Sequence, residues 1–244
     1  MSKPPRFFIT PDQVRDPSIT VAGDDVRHIR TVLRKQAGDL LTLLDGQGRE
    51  YTVRITAIEK EAIETEIVER RERHPLLPSV ILGQGLPKSD KMDFIVQKAT
   101  ELGVSAIVPL VTERTIVKVK DEEKRVTRWQ KIAREAAMQS NRPDIPKVET
   151  IHPFNEYIRS LAPGPRTLLI FPWEEGTEPV KNVLRRHFDA QHIVVLIGPE
   201  GGFSQAEAEA AAEKGFHLVS LGPNILRTET AAVAALSMIG YEFS

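Results

Sequence analysis

From residue 79 onward, short apolar runs alternate with segments whose apolar residues recur at helical spacing. The runs at 104–110, 167–171 and 193–197 are rich in Val, Ile and Leu, with few polar positions between them. Such runs are typical of strands that are buried on both faces of a parallel sheet. The alternation of strands and helices therefore predicts an α/β domain over residues 73–244.

The first part of the chain has a different pattern. Residues 39–44, 51–58 and 62–67 read as three strands, with the turn sequence Asp-Gly-Gln-Gly between the first two. A meander of this kind usually closes into a small barrel. One helix is predicted before it, over residues 24–33. We therefore expect a small β-domain over residues 1–72, with a charged, proline-bearing linker at 71–78.

Residues 193–241 contain two consecutive strand–loop–helix units, and both loops carry Gly-Pro. The first loop is Gly198-Pro199-Glu200-Gly201-Gly202, and Ser204-Gln205-Ala206-Glu207 then has the pattern of a capping box that opens a helix. The second loop, Gly222-Pro223-Asn224, precedes an Ala-rich helix that is predicted from about Thr228. Loops at the carboxyl ends of parallel strands are where α/β proteins usually bind ligands.

The composition of these loops limits what they can bind. Glycine allows a ligand to approach the backbone, whose N–H and C=O groups can recognise an adenine edge or a carboxylate. The spacing of Gly198, Gly201 and Gly202 does not fit the dinucleotide motif G-x-G-x-x-G, and the chain has no Walker A sequence. Each loop alone could be a simple tight turn, but two adjacent loops favour a site.

Composition and charge exclude several other classes. The chain has 244 residues, of which 41% are hydrophobic and 27% charged, as in an ordinary soluble globular protein. The absence of cysteine excludes disulfides, thiolate metal sites and cysteine nucleophiles. No apolar run approaches transmembrane length, so we expect a cytoplasmic protein without a membrane partner. The net charge of −1 gives no global sign of a nucleic-acid partner, so any RNA contact must come from a local patch.

The predicted N-terminal helix offers such a patch. Arg27, Arg30 and Arg34 are spaced so that they share one helical face, and Lys35 follows directly. This basic face could contact RNA phosphates, which positions RNA without reading its sequence. A solvated helix surface is the alternative.

The two Gly-Pro loops also carry a family resemblance. The sequences IGPEGGFS and LGPNILRTETA resemble the C-terminal signature of the SPOUT methyltransferases and, among them, of the RsmE family, the 16S ribosomal RNA (uracil-N3)-methyltransferases. The resemblance implies a C-terminal trefoil-knot domain, S-adenosylmethionine as methyl donor, no metal and a homodimer. The stretches HIRTVLRKQAGD and LLDGQGREY resemble the family's N-terminal PUA-like β-barrel, which implies that residues 1–72 bind RNA.

The resemblance also implies roles for individual residues. The residues expected to surround the methyl donor are Phe171, Pro172, Gly198, Pro199, Glu200, Gly201, Leu221, Gly222, Ile225 and Leu226. Arg227 is expected to stabilise charge or orient the target base. Glu229 is a possible base, although a glutamate at a helix start is also favoured by the helix dipole alone. Arg142, with Gln139 before it, is a candidate for the substrate face and could reach the partner's site in the dimer. Because Pro143 follows directly, its alignment with the family motif is open to a shift of one residue.

These observations predict methylation of a uridine N3 in 16S ribosomal RNA or in the small ribosomal subunit. The alternatives are methylation of another RNA site, a non-catalytic RNA-binding module, and a small-molecule α/β enzyme with a nucleotide cofactor. The missing nucleotide motifs disfavour the last of these, and the Arg and Glu that follow the second loop disfavour the binding module.

Overall fold

The computed structural model describes residues 4–72, 78–117 and 121–243. The chain forms two compact units, which we call the N-terminal unit (Met1–His74 with Ala137–Ile145) and the C-terminal unit (Pro75–Ala136 with Pro146–Ser244). Most of the linker predicted at 71–78 lies outside the described residues. The division predicted at residue 72 did not include the segment 137–145, which the structure groups with the N-terminal unit.

The N-terminal unit is built on a six-stranded sheet. Its strands are β1 (Arg6–Phe8), β2 (Val14–Arg15), β3 (Ser18–Ala22), β4 (Leu40–Leu44), β5 (Arg49–Ile58) and β6 (Ala62–Glu72). A 3₁₀-helix covers Pro11–Gln13, α1 covers Asp24–Arg27, and a π-helix covers His28–Val32. The strand order is β1-β4-β5-β6-β3-β2, antiparallel except for the parallel pair β1 and β4.

One face of this sheet encloses a hydrophobic core. Alternating residues point inward from the strands, and the core includes Ile19, Leu41, Val53 and Ile63. Ile29, from the helical segment between β3 and β4, is also part of this core. The sheet is thus a half-barrel with β1 and β2 as its edges, in agreement with the predicted PUA-like domain.

The predicted helix at 24–33 differs from the structure in its second half. The Leu33 N–H group donates to the carbonyl oxygen of His28 at 3.0 Å, five residues back, so the helix widens into a π-turn. Arg34 then takes a left-handed conformation (φ 51°) outside the helix. The prediction that Arg27, Arg30 and Arg34 share one α-helical face is therefore wrong for Arg34, since the wider turn ends the helix before it.

The segment 137–145 belongs to the N-terminal unit because its apolar residues pack there. Phe8 and Leu44 form a cluster with Ala137, against which Met138 and Ile145 also pack. The Ile145 N–H group donates to the carbonyl oxygen of Gly46 at 3.2 Å.

The C-terminal unit is an α/β structure with an eight-stranded sheet in which every strand pair is parallel. Its elements are β7 (Ser79–Gly85), α2 (Lys91–Glu101), β8 (Ala106–Val111), α3 (Glu122–Gln139), β9 (Lys147–Val148), β10 (His152–Pro153), α4 (Phe154–Ser160), β11 (Thr167–Pro172), β12 (Glu178–Pro179), α5 (Val180–Arg186), β13 (His192–Ile197), α6 (Gln205–Glu213), β14 (His217–Ser220) and α7 (Thr228–Glu242). The strand order is β10-β8-β7-β13-β11-β14-β12, with β9 paired to β8. The predicted α/β class is confirmed, and the helix predicted from Thr228 begins at that residue.

Two helices of this unit pack together in one aromatic-rich core. Phe154 of α4 and Ala208 of α6 lie in a cluster with Phe171 of β11 and Leu196 of β13.

The C-terminal helix α7 packs elsewhere, against α2, α5 and β13. It does so although it follows β14, which lies two strands away from β13 in the sheet. The trefoil knot itself stays a prediction.

The loop after β13 is fixed at its far end by the predicted capping box, which the structure confirms. The Ser204 side chain accepts from the Glu207 N–H group at 3.3 Å, and Glu207 Oε2 accepts from the Ser204 N–H group at 2.9 Å. Glu207 Oε1 also accepts from the backbone N–H of Glu113, just beyond β8, at 2.8 Å. The carboxylate therefore joins the start of α6 to the end of a neighbouring strand.

Candidate active site

A cavity of about 450 Å³ lies at the carboxyl ends of β11, β13 and β14 in the C-terminal unit. Three loops form most of its lining: residues 172–174 after β11, 198–203 after β13, and 220–227 around the end of β14. Lys91 of α2 and Ala231 of α7 complete the wall. The cavity therefore lies at the strand ends where ligands of α/β folds are bound.

The cavity brings together nearly all residues that were expected to surround the methyl donor. Those that line it are Pro172, Gly198, Pro199, Glu200, Gly201, Leu221, Gly222, Ile225 and Leu226. Phe171 instead lies in the core beneath, fully buried, with its ring centre 4.3 Å from that of Phe203. Phe203 is itself part of the lining, so Phe171 supports the wall from behind.

The candidate catalytic residues lie in different places. Arg227 lines the cavity, and its guanidinium group makes no hydrogen bond or ion pair with the residues that the structure describes. Glu229 lies in the first turn of α7, within reach of Lys91. Arg142 belongs to the N-terminal unit, where it forms an ion pair with Asp144.

Close backbone contact between β7 and the loop after β13 shapes one wall of the cavity. A Cβ atom on Gly85, the last residue of β7, would lie 2.6 Å from Pro199 Cδ, so a side chain there would displace the loop. The loop itself turns at Gly202 (φ 68°), whose N–H group donates to the Pro199 carbonyl oxygen at 2.9 Å. Only glycine adopts this conformation at little cost.

Thr228 connects this loop to the start of α7 through buried hydrogen bonds. Its hydroxyl group donates to the carbonyl oxygen of Gly198 at 2.6 Å and accepts from Gln84 Nε2 at 2.9 Å. Gln84 is fully buried and Thr228 is 4% exposed, so their mutual hydrogen bond is shielded from water. We call this arrangement of Gln84, Gly198 and Thr228 the threonine junction.

A second connection on the cavity wall is ionic. The Lys91 ammonium group lies 3.0 Å from Glu200 Oε1 and 3.4 Å from Glu229 Oε2. The Lys88 N–H group also donates to both Glu200 oxygens, at 3.1 and 3.2 Å. Burial acts to raise the pKa of Glu200, but the bonds from Lys91 and from backbone N–H groups outweigh it and lower that pKa. The hydrogen bond to Glu200 in turn raises the pKa of Lys91, which keeps its positive charge.

Comparison with known proteins assigns the family. The sequence profile of the RNA methyltransferase domain matches residues 73–240, and that of the RNA methyltransferase PUA domain matches residues 21–68. Ribosomal RNA small subunit methyltransferase E of Bacillus subtilis is 33% identical over 97% of this chain and 96% of its own length. The chain belongs to this RNA methyltransferase family. The resemblance that the loop sequences indicated is confirmed.

Other members of the family extend this result. The protein of the same name from Aquifex aeolicus is 37% identical over 79% of this chain and 82% of its own length. A crystal structure of ribosomal RNA small subunit methyltransferase E from Neisseria gonorrhoeae, bound to S-adenosyl methionine, has a TM-score of 0.84. It is 34% identical to this chain, and the match covers 98% of both chains. The fold of this RNA methyltransferase is therefore that of its family over nearly the whole length.

The residues predicted to bind RNA lie on the surface of the N-terminal unit. Arg27, Arg30 and Arg34 are exposed, whereas Lys35 is half-buried and lies 3.9 Å from Asp39. Arg30 Nη1 donates to the carbonyl oxygen of Lys60 at 3.3 Å. Three of these positions thus present positive charge to the solvent.

Sequence reasoning missed several residues of the cavity. Lys91, Trp173 and Thr228 line it, yet none was assigned to the site. Lys91 follows β7, a strand whose position beside β13 appears only in the folded sheet. Trp173 had a sequence signal, since it directly follows Pro172 in the predicted loop. Among the described residues, no group of three or more His, Asp or Glu side chains is placed so that it could hold a metal ion. No helix in the same ranges is long and apolar enough to cross a membrane.

The threonine junction gives a prediction about stability. Replacing Thr228 by valine removes the hydroxyl group at nearly constant volume, so the Gly198 carbonyl loses this donor and buried Gln84 Nε2 keeps only its bond to the Gly85 carbonyl. We expect the free energy of unfolding to fall by about 1–3 kcal/mol. Urea denaturation, followed by circular dichroism, measures this change.

Two variants serve as controls for this experiment. Thr228→Ser keeps the hydroxyl group and loses one methyl group, so its free energy of unfolding should fall by about 1 kcal/mol or less. Thr230→Val changes an exposed threonine of the same helix, and its free energy of unfolding should lie within about 0.5 kcal/mol of that of wild type. If the valine and serine variants at 228 were equally stable, the hydrogen bonds would not be what stabilises this junction.

Proposed function

We propose that this RNA methyltransferase transfers the methyl group of S-adenosylmethionine to N3 of a uridine in 16S ribosomal RNA. The observation that carries this proposal is the cavity at the ends of β11, β13 and β14, where the loops expected to surround the donor converge. Relatives named for action on ribosomal RNA of the small subunit, one of them crystallised with this donor, support the choice of substrate and donor.

The cavity has the chemical character that the donor requires. Leu221, Ile225 and Leu226 supply apolar surface, and the glycine-rich loops supply backbone N–H and C=O groups that can recognise adenine. Glu174 also lines the cavity, and its carboxylate favours a ligand that carries a positive sulfonium. The proposed donor residues are those of the lining, with Phe171 as their support.

The reaction is a displacement at carbon. The lone pair of uridine N3 attacks the methyl carbon, the bond between that carbon and sulfur breaks, and its electron pair stays on sulfur. Since the sulfonium is already a good leaving group, the protein has to align the two reactants, which lowers the barrier by fixing their geometry. The proton on N3 must also leave, and this calls for a base and for a cation near the uracil oxygens.

Two residues suit these roles. We assign the cation to Arg227, which lines the cavity and whose guanidinium group has no ion-pair or hydrogen-bond partner among the described residues. We assign the base to Glu229, because both oxygens of Glu200 already accept from the Lys88 N–H group and its Oε1 also lies 3.0 Å from the Lys91 ammonium group. This leaves Glu200 with little capacity to accept a proton.

The N-terminal unit is proposed to bind the RNA. Arg27, Arg30 and Arg34 would contact phosphates, with Lys35 at the margin of the patch. Such contacts give affinity without sequence specificity and weaken with salt. Because the substrate is ribosomal RNA, we place the reaction in the cytoplasm.

A homodimer is also proposed, and an apolar face of the C-terminal unit supports it. The helix α7 has apolar residues on all sides, which is typical of a helix that is covered all round. Met238 and Tyr241 of α7 are nevertheless 36% and 82% exposed, and Phe94 of the neighbouring α2 is 45% exposed. A second copy of the chain would cover this face, and Arg142 would then act in the partner's site.

Donor binding can be tested by filling the cavity. Ala231 lines it, so Ala231→Phe should place a ring where the donor would lie. Isothermal titration with S-adenosylmethionine should give a micromolar Kd for wild type, about −8 kcal/mol, and at least about 100-fold weaker binding for the variant.

Thr230→Phe is the matched control, because it adds the same ring one residue earlier at an exposed position. This control should bind the donor as wild type does. Absence of binding by folded wild-type protein would contradict the methyltransferase proposal and favour a non-catalytic RNA-binding module.

The dimer can be tested by light scattering after size exclusion. Wild type should elute with the mass of two chains at micromolar concentration, and Met238→Glu should shift the mass toward one chain, since it places a charge in an apolar interface. Ala212→Glu, at an exposed position of α6, which packs against α4, should remain a dimer. A wild-type mass of one chain would refute the proposed dimer.

A further inference from the structure

Lys91 occupies a position that the proposed chemistry does not yet use. It is the first residue of α2, and its side chain lines the cavity. The strand before this helix, β7, pairs with β13, whose following loop carries Glu200. Fold topology thus places a lysine from an early part of the chain against the two late segments that form the site.

The ammonium group of Lys91 joins two separate elements of the site. Glu200 belongs to the loop after β13, and Glu229 belongs to the first turn of α7. Their carboxylate oxygens lie 3.0 and 3.4 Å from Lys91 Nζ. One cation therefore fixes the separation of two anionic side chains that would otherwise repel each other.

The two carboxylates depend on this cation to different degrees. Glu200 also accepts from the backbone N–H of Lys88, so it keeps partners when Lys91 is absent. Glu229 Oε2 is buried and makes no hydrogen bond in the part of the chain that the structure describes. The ammonium group is its charge partner. A carboxylate oxygen that is removed from water needs such a partner to remain in place as an anion.

We propose that Lys91 is a positioning residue for methyl transfer, and that its ammonium group in the cavity lining holds the adjacent Glu229 carboxylate, which itself is not part of that lining, as the proton acceptor. The inference rests on the proposed function, because it assigns a helper to the base of that reaction. During transfer the N3–H bond breaks, a bond forms between that proton and a Glu229 oxygen, and Lys91 stays protonated throughout.

Loss of the Lys91 ammonium group should lower the rate of methyl transfer more than it weakens donor binding. In Lys91→Met the Glu229 carboxylate either turns toward solvent or takes up a proton, and both changes remove the acceptor. The net charge of the donor is positive, which a nearby lysine does not attract, and we therefore expect its affinity to persist. Lys91 is one-third exposed, and partly exposed ion pairs contribute little to folding, so the variant should fold normally.

The experiment measures donor affinity by titration, and kcat and KM on unmodified small ribosomal subunits. For Lys91→Met we expect kcat to fall about 10- to 100-fold, as expected when a base is misplaced. The donor Kd and the KM for RNA should change by less than about threefold. Lys91→Arg, which keeps the charge, should recover most of kcat. Lys98→Met is the matched control: Lys98 lies in the same helix and pairs with Glu101 at 2.9 Å, but it does not line the cavity.

The alternative roles of Lys91 give different results. A donor Kd at least about tenfold weaker, with kcat unchanged at saturation, would overturn the proposal and make Lys91 a donor-binding residue. A raised KM for RNA with unchanged kcat would overturn it in favour of phosphate contact. Equal activity of Lys91→Met and Lys98→Met would leave Lys91 without a role in catalysis. If wild type itself failed to bind the donor, the proposed function would fail first, and this inference with it.

Discussion

The hydroxyl group of Thr228 lies where three segments that are remote in the chain meet. It donates to Gly198 in the loop after β13 and accepts from Gln84 in β7, while its own backbone begins α7. Because all three groups are shielded from water, each loses its partner if another moves. The loop shape, the start of the C-terminal helix and the strand below are thus determined together. The junction ties the loop after β13 to the start of α7, and residues of both line the cavity.

The residues that line the cavity around the threonine junction differ in chemistry from one part of the lining to another. The apolar residues 225 and 226 and the glycine-rich loops suit the adenosine portion of a donor. The groups proposed to act on the target are charged and lie near the start of α7: Arg227 in the cavity lining, and Glu229 beside Lys91. One segment, 221–229, therefore supplies both donor contacts and candidate catalytic groups. This proximity is how the fold could align donor and nucleophile without a large conformational change.

Much of this arrangement could be predicted from the sequence where local rules determine structure. The capping box of residues 204–207 and the start of α7 depend on short-range hydrogen bonding, and both are found as expected. The buried strands 167–171 and 193–197 were evident because parallel strands are apolar on both faces. The donor loops were identified from their resemblance to one family, and the cavity brings nearly all of those residues together.

Other features could not be predicted, because they depend on tertiary contacts. Nothing in the sequence around Arg34 indicates the π-turn that removes this residue from the helix. Segment 137–145 joins the N-terminal unit through Phe8 and Leu44, contacts between residues more than 90 positions apart in the sequence. Lys91 reaches the cavity only because β7 pairs with β13, and strand order cannot be read from a single chain. The short strands β9, β10 and β12 have two residues each and leave no periodic pattern.

The most direct test of the account is to identify the methylated nucleoside. Unmodified small ribosomal subunits would be incubated with the protein and isotopically labelled S-adenosylmethionine, and the 16S ribosomal RNA would then be digested to nucleosides for mass spectrometry. The account predicts labelled 3-methyluridine, and its loss with Ala231→Phe. Label in a different nucleoside, or none with protein that binds the donor, would contradict the proposed reaction.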